Sequence, residues 1–128
     1  MVGIPTYGRS FTVPNGSDMK PPISQASAGR AGIAGEAGSL GYLEICLGIK
    51  NGGWTGVADA KGPYAYKDDQ WVGYDTIDSV KEKAKYILDN ELGGAMFWDM
   101  STDDFNNQCG DGKYPLIGSV NNVLNDGC

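Results

Sequence analysis

The chain has 128 residues, the size of one domain or of a segment of a larger protein. Hydrophobic residues make up 41% of it, enough for a packed core, and its 20 glycines favour a turn-rich fold over a helical bundle. The net charge of −6 argues against nucleic acid as a partner, and no apolar run approaches the roughly 20 residues needed to span a membrane. Because the sequence has no histidine, it lacks the commonest zinc ligand, and we predict neither a metal nor a cofactor.

The first part of the chain predicts strands and one short helix. Residues 2–13 are rich in strand-forming side chains and are interpreted as one strand, in which Pro5 must lie at an edge, a bulge or the strand beginning. Residues 14–38 are rich in proline, glycine, serine and alanine and indicate a long loop. A helix is predicted over residues 40–49, and the alternation of aromatic and polar residues over 54–74 indicates antiparallel strands.

The rest of the chain predicts a strand between two helices. Asp75 is expected to cap the clearest helix, whose apolar residues recur at helical spacing until Gly93-Gly94. Residues 95–98 form a short apolar run typical of a strand buried on both faces, and a last amphipathic helix follows near Leu116. The order strand–helix–strand–helix is that of the last units of a βα-barrel. We therefore predict an α/β fold in which the stretch from Pro14 to Gly73 contributes an α+β insertion.

Several stretches resemble one enzyme family in the right order along the chain. Residues 3–12 (GIPTYGRSFT) are similar to the seventh barrel strand of glycoside hydrolase family 18 chitinases, and residues 70–75 (QWVGYD) to the return from that family's insertion domain. Residues 93–98 (GGAMFW), followed by Asp103-Asp104-Phe105, resemble the eighth strand and its loop. The resemblance implies the C-terminal portion of a (β/α)8 TIM barrel. It divides the chain into barrel strand seven (1–13), an α+β insertion domain (14–73), and the final barrel helix, strand eight and last helix (74–128).

The activity implied by the resemblance is hydrolysis of β-1,4-linked N-acetylglucosamine polymers with retention, in which the substrate's own N-acetyl group is the nucleophile. The family's general acid is a glutamate that ends an Asp-x-x-Asp-x-Asp-x-Glu motif on the fourth strand, which would lie before Met1. The chain alone is therefore expected to carry part of the sugar cleft without hydrolysing chitin. Two functions stay open: a fragment of a chitinase, or a fragment of a non-catalytic chitinase-like lectin that binds chito-oligosaccharides.

The resemblance also implies five substrate-binding residues. Trp98 matches the tryptophan that floors the −1 sugar subsite, where its ring would pack on the C–H face of a sugar; a core tryptophan is the alternative. Tyr7 and Arg9 match cleft residues at the end of strand seven, where barrel enzymes place their sites, and for Arg9 a structural ion pair is the alternative. Glu36 matches an insertion-domain carboxylate and Met96 a residue lining the −1 pocket, against a plain loop carboxylate and a core methionine.

Two acidic groups invite a catalytic interpretation that we do not adopt. Residues 75–82 match the catalytic motif except for Val80, but they lie on a predicted helix, where Asp78 and Glu82 fall on a solvated face. The second group follows the predicted eighth strand and is interpreted as a loop that caps the last helix: Asp99, Asp103 and Asp104.

The three cysteines lack any Cys-x-x-Cys spacing, so one disulfide and one leftover cysteine are predicted rather than a metal site. The resemblance pairs Cys46 with Cys109 and leaves Cys128 free or bound outside the chain. Asn15 begins an N-glycosylation sequon. Together these features indicate a secreted, extracellular glycoprotein whose partner is chitin or a chito-oligosaccharide. Two barrel strands with open edges also predict self-association of the chain.

Overall fold

The computed structural model describes residues 1–14, 18–23 and 25–126. The predicted glycosylation at Asn15 and the predicted state of Cys128 fall outside these residues. The strands are β1 (Val2–Pro5), β2 (Tyr7–Thr12), β3 (Ser27–Ala28), β4 (Ser39–Gly41), β5 (Thr55–Val57), β6 (Tyr64–Lys67), β7 (Gln70–Gly73) and β8 (Ala95–Trp98). The helices are α1 (Tyr42–Asn51), α2 (Ile77–Asp89) and α3 (Pro115–Asp126), with a short 3-10 helix at Met100–Thr102.

A small parallel sheet joins the beginning of the chain to residues 95–98. β1 and β8 pair in parallel, with Ile4 opposite Phe97 and Pro5 opposite Trp98. Parallel neighbours need a crossover connection, and here that connection includes α2. The two strands share a core of buried side chains with α2 and α3. Burying each of the larger side chains contributes about 2 kcal/mol to the stability of the fold. The fully buried aliphatic members of this core are Ile4, Val80, Ala84, Leu116 and Val120.

A second, antiparallel sheet is formed by the middle of the chain. Its strand order is β3-β2-β7-β6-β5, and β4 also pairs with β2. Helix α1 covers one face, where Ile45 packs with Ala65 and Val72. Antiparallel sheets commonly bury one face and leave the other accessible. The molecule is therefore a mixed α/β fold, and residues 54–74 form the antiparallel strands that their alternation predicts.

The single strand predicted over residues 2–13 is two strands in different sheets. β1 ends at Pro5, whose backbone nitrogen has no hydrogen to donate to a neighbouring strand, and β2 begins at Tyr7. Between them, Thr6 donates its N–H to Trp98 O in the small sheet and accepts a hydrogen bond from Tyr42 N–H at the start of α1. The strand-forming residues continue without interruption, but their pairing partners change at Thr6. Residues 7–12 therefore belong to the antiparallel sheet and not to the parallel pair.

The clearest predicted helix is confirmed as α2, but Asp75 does not cap it. Thr76 is the N-cap: its hydroxyl accepts from Ser79 N–H over 3.1 Å, and the Ser79 hydroxyl accepts from Thr76 N–H over 2.8 Å. Asp75 is buried beside this cap and pairs with Lys83 Nζ at 2.6 Å. The described helices include none with the length and apolar character to cross a bilayer.

The prediction that residues 95–98 are buried on both faces is wrong. Ala95 and Phe97 pack against the core, whereas Met96 is 48% and Trp98 67% exposed. The core described above lies on one side of the β1–β8 pair only. Within residues 1–14, 18–23 and 25–126, the other side of β8 has no comparable layer over it, so this face remains open to solvent.

Candidate binding site at the junction of the two sheets

Met96 and Trp98 lie on the open face of β8, because side chains two residues apart in a strand project to the same side. The residue opposite Met96 on β1 is Gly3, which has no side chain. A Cβ added to Gly3 would lie 3.7 Å from Met96 Cε. Trp98 ends the strand and presents most of its indole ring to solvent. The peptide that follows it, to Asp99, is cis. Trp98 therefore stands at the carboxyl end of the parallel strands, where α/β proteins place their sites.

Tyr7 and Arg9 form a second pair, on the face of β2 away from α1. Gly8 between them faces the helix side, where an added Cβ would lie 2.6 Å from Val72 Cγ2 and 2.9 Å from Ile45 Cδ1. Close packing of that side thus requires glycine and sends both neighbours outward. The Arg9 guanidinium carbon lies 5.1 Å from the centroid of the Tyr7 ring, within the range of a cation–π contact. Arg9 is exposed, so its donors remain accessible.

The structure does not bring Glu36 into contact with either pair. Glu36 is exposed in the loop between β3 and β4, and its carboxylate has no hydrogen bond or ion pair within the part of the chain that the structure describes. Arg9, in turn, contacts Tyr7 and no carboxylate among those residues. The predicted residues therefore come as two pairs, Tyr7 with Arg9 and Met96 with Trp98, plus one separate exposed carboxylate.

The acidic group after β8 is structural, as interpreted from the sequence. Asp99 accepts from Ser101 N–H over 2.9 Å and starts the 3-10 helix. Asp103 is fully buried and accepts from Ile117 N–H over 3.1 Å, at the N-terminus of α3, where backbone N–H groups lack helical partners. Asp104 is also fully buried and accepts from Cys109 N–H over 2.8 Å. These carboxylates are occupied in holding the loop and the last helix.

A disulfide joins Cys46 of α1 to Cys109 of this loop, with a Cα–Cα distance of 6.2 Å, which confirms the predicted pairing. A carboxylate oxygen of Asp104 lies within 4.8 Å of both sulfurs. Sulfurs bonded to each other are not the thiolates that metals bind, so this cluster does not form a thiolate metal site. The disulfide instead ties the antiparallel sheet's helix to the loop that follows Trp98.

A cavity of about 420 Å³ beside the disulfide was not anticipated from the sequence. Tyr42, at the start of α1, is buried against it, and Tyr74 and Asp111 also line it. Burial raises the pKa of the Tyr42 hydroxyl well above its usual value, and the nearby Asp111 carboxylate adds to the rise. Burial likewise raises the pKa of Tyr74. No motif marks this cavity, because its lining residues come from segments distant in sequence.

An aromatic row on the outer face of the antiparallel sheet was also missed. The Phe11 ring lies 6.0 Å from the Trp71 ring, and Trp71 stacks on Tyr64 at 5.5 Å. Trp71 Nε1 donates to Met19 O over 3.1 Å, which fixes the indole in place. Phe11 is two and four residues beyond Arg9 and Tyr7, so the row continues the face of β2 that carries this pair. The alternation of residues 54–74 was the available signal, but it did not specify which rings meet.

The family follows from a comparison over most of the sequence. The model of Glycosyl hydrolases family 18 matches residues 1–103, and the chain therefore belongs to this family. Probable chitinase 10 of Drosophila melanogaster is 42% identical over 130 residues, which cover 98% of this chain and 6% of that protein. The chain thus spans only a small part of that relative.

Two solved structures have the same fold as this chain. Catalytic domain 2 of the Group II chitinase of Ostrinia furnacalis is 40% identical, with a TM-score of 0.94 over 98% of this chain and 34% of its own; a mutant of it was solved in complex with penta-N-acetylchitooctaose. Human YKL-39, described as a pseudo-chitinase with retained chitooligosaccharide binding, is 38% identical, with a TM-score of 0.86 over 98% of this chain and 35% of its own. The chain spans about a third of each.

Proposed function

We propose that this chain forms one wall of the chito-oligosaccharide cleft of a family 18 chitinase. The observation that carries the proposal is the open face of β8, where Trp98 is 67% exposed at the carboxyl end of the parallel strands. Single exposed apolar residues are common, but large apolar side chains exposed together, as Met96 and Trp98 are on this face, mark a site for a ligand or partner. Membership of family 18 supports a sugar as that ligand.

The side chains of the wall match the chemistry of an N-acetylglucosamine chain. The Trp98 ring offers a broad apolar face to the C–H side of a pyranose, and Met96 beside it offers a soft apolar contact for an acetamide methyl. Arg9 offers several N–H donors to hydroxyl and carbonyl oxygens and is held over the Tyr7 ring. Glu36, exposed in its loop, can accept from a sugar hydroxyl.

Hydrolysis in the longer protein would require a general acid that this sequence does not contain. The Asp-x-x-Asp-x-Asp-x-Glu motif is absent from the 128 residues, and the partial match at residues 75–82 lies across the N-terminus of α2 with Asp78 and Glu82 exposed. We therefore assign binding and orientation of the sugar to this chain, and proton transfer to a segment outside it. In that arrangement the substrate's acetamide attacks with retention, as in substrate-assisted glycosidases.

A non-catalytic lectin is the second candidate function. Human YKL-39, 38% identical to this chain, is described as a pseudo-chitinase that retains chitooligosaccharide binding. Every side chain of the proposed wall serves a lectin as well as an enzyme, because stacking and hydrogen bonding precede any chemistry. The two functions are separated by one observation, the residue at the position of the general acid in the longer protein.

Removing the Trp98 ring tests the proposed wall. Chitotetraose is expected to bind the chain with a Kd in the millimolar range or weaker, about −4 kcal/mol, because only one wall is present. Trp98→Ala should weaken binding about ten-fold, the value of roughly 1–1.5 kcal/mol for a stacked ring. Isothermal titration calorimetry measures both, and Trp54→Phe, at a partly buried tryptophan packed against the core of the antiparallel sheet, is the control.

Two outcomes would contradict the proposal. Equal affinities of Trp98→Ala and the parent chain would place the sugar elsewhere, with the Phe11–Trp71 row as the next surface to examine. Release of reducing ends from chitotriose by the purified 128-residue chain would show that the general acid lies within this chain. We expect no such turnover.

We also propose that the protein is extracellular. The Cys46–Cys109 disulfide supports this, because disulfides persist in oxidising compartments. Glycosylation at Asn15 belongs to the same proposal, and mass spectrometry of the protein from its natural source tests it.

A further inference from the structure

Thr6 lies between β1 and β2 and is 1% exposed. Each of its polar groups bonds to a different segment of the chain. Its N–H donates to Trp98 O over 3.2 Å, and its carbonyl oxygen accepts from Tyr42 N–H over 2.9 Å. Its hydroxyl donates to Asp99 O and lies 2.6 Å from Thr102 Oγ1. One residue therefore connects the end of β8, the start of α1 and the 3-10 helix.

The hydroxyl of Thr6 is part of a compact triangle of oxygens. Its other corners are Thr102 Oγ1 and Asp99 O, and the Thr102 hydroxyl also donates to Asp99 O over 3.1 Å. Each hydroxyl has one proton, so two of the three contacts are donated hydrogen bonds at a time, and both protons are used inside the triangle. Buried networks whose donors are all satisfied rigidify the segments that they join. A methyl carbon in place of the Thr6 oxygen would need about 3.3–3.6 Å from a neighbouring oxygen and would push Asp99 and Thr102 outward.

The backbone that carries the Trp98 ring is bonded to this group of residues. Across residues 1–14, 18–23 and 25–126, the indole of Trp98 has no ring contact and its N–H no hydrogen bond partner, and most of the ring is exposed. The point from which the ring projects is therefore set by the backbone that carries it. On the amino side that backbone is held by pairing with β1, and on the carboxyl side by the bonds from Thr6 to the carbonyls of Trp98 and Asp99.

We propose that Thr6 is a positioning residue for the sugar wall. It fixes Trp98 relative to Tyr7, the next residue along the chain, and so sets the spacing between the stacking ring on β8 and the Tyr7–Arg9 pair on β2. The role in sugar binding rests on the proposed function. The placement of Trp98 by Thr6 is a separate claim that can be measured without any sugar.

Fluorine NMR of the chain labelled with 5-fluorotryptophan follows Trp98 directly. Thr6→Val keeps the shape of the side chain and removes its hydroxyl, and Thr6→Ser restores the hydroxyl. Thr12→Val is the matched control, because Thr12 lies at the far end of β2 and its hydroxyl likewise donates to a backbone carbonyl, that of Ala28 over 3.2 Å, and accepts from Gln70 Nε2 over 2.9 Å. We expect the Trp98 resonance, assigned by its loss in Trp98→Phe, to shift or broaden in Thr6→Val and to stay unchanged in Thr6→Ser and Thr12→Val.

Titration with chitotetraose gives the second readout. Thr6→Val is expected to raise the Kd about five-fold, the effect of losing roughly 1 kcal/mol, whereas Thr12→Val lowers stability without changing the Kd. An unchanged Trp98 resonance in folded Thr6→Val overturns the proposal. If the resonance moves but the parent binds no sugar, the proposed function fails and the placement of Trp98 by Thr6 stands. Thr6→Ala, which leaves space instead of a methyl contact, replaces Thr6→Val in both measurements if the valine variant does not fold.

Discussion

Tyr42 shows how one buried hydroxyl couples folding to pH. Its pKa is raised by burial first and by the Asp111 carboxylate second. In the unfolded chain a tyrosine titrates near pH 10. Above that pH the unfolded chain loses a proton that the folded chain keeps, so the folded state becomes relatively less favourable. The stability that the neutral Tyr42 hydroxyl supports is therefore complete below about pH 10 and is lost as the pH rises toward the folded-state pKa.

Tyr42→Phe is expected to make the chain less sensitive to alkali. One such group lowers the free energy of unfolding by about 1.4 kcal/mol per pH unit above pH 10, and phenylalanine cannot titrate. Tyr42→Phe should still lose some stability at alkaline pH, because burial also raises the pKa of Tyr74. Urea unfolding from about pH 9 to about pH 11 measures the slope. Tyr86→Phe, at an exposed position of α2, is the control; an equal effect of both variants would contradict the assignment.

At the scale of elements, the disulfide connects α1 to the loop between β8 and α3. The loop is also held by the carboxylates of Asp103 and Asp104 and by Lys50 Nζ, which donates to Cys109 O over 3.3 Å. The cross-link closes a long segment, since the two cysteines are 63 residues apart. Closing such a loop removes many conformations from the unfolded chain.

Removing the disulfide is expected to cost several kcal/mol. For a loop of this length the chain-entropy model gives about 4 kcal/mol. The double variant Cys46→Ala/Cys109→Ala should lose that amount in urea unfolding at neutral pH, and Cys128→Ala, which removes the remaining cysteine, is the comparison. Peptide mapping under non-reducing conditions provides the covalent check. A Cys46–Cys128 or Cys109–Cys128 linkage would contradict the pairing.

Elements with strong local signals were predictable. α2 has helical spacing of its apolar residues and a hydroxyl-bearing N-cap, although the cap is Thr76 and not Asp75. The division of residues 2–13 into β1 and β2 was not predictable, because strand propensity is a local property and the partner of each strand is not. The start of α1 was not predictable for the same reason. Residues 39–41 pair with β2 as strand β4, so the helix begins only at Tyr42.

At the scale of the whole molecule, the open face and edges of the small sheet are its most unusual feature. Among the described residues the sheet consists of β1 and β8 alone, so each strand has one edge without a strand partner. Met96, Trp98 and Met100 are each about half exposed or more on or next to β8. Unpaired edges beside apolar surface favour association with further strands.

The 128-residue chain is therefore expected to self-associate. Sedimentation velocity over a range of concentrations should show species larger than the monomer. Met96→Lys, which places a charge on the open face, should shift the distribution toward the monomer. Ile33→Lys alters a side chain that is 85% exposed in the loop before β4 and should leave the distribution unchanged. Detection of monomer alone at every concentration would show that the open face does not mediate self-association.

The sequence by itself determined the family, the α/β class, the Cys46–Cys109 pairing and the identity of the proposed sugar-binding side chains. These depend on residue types at fixed spacings, which can be compared directly with a family pattern. The tertiary structure decided where the single predicted strand divides, which face of β8 is open and that Thr6 joins Trp98 to both sheets. Those features depend on hydrogen bonds and burial between segments as much as 96 residues apart, and local propensity carries no information about such partners.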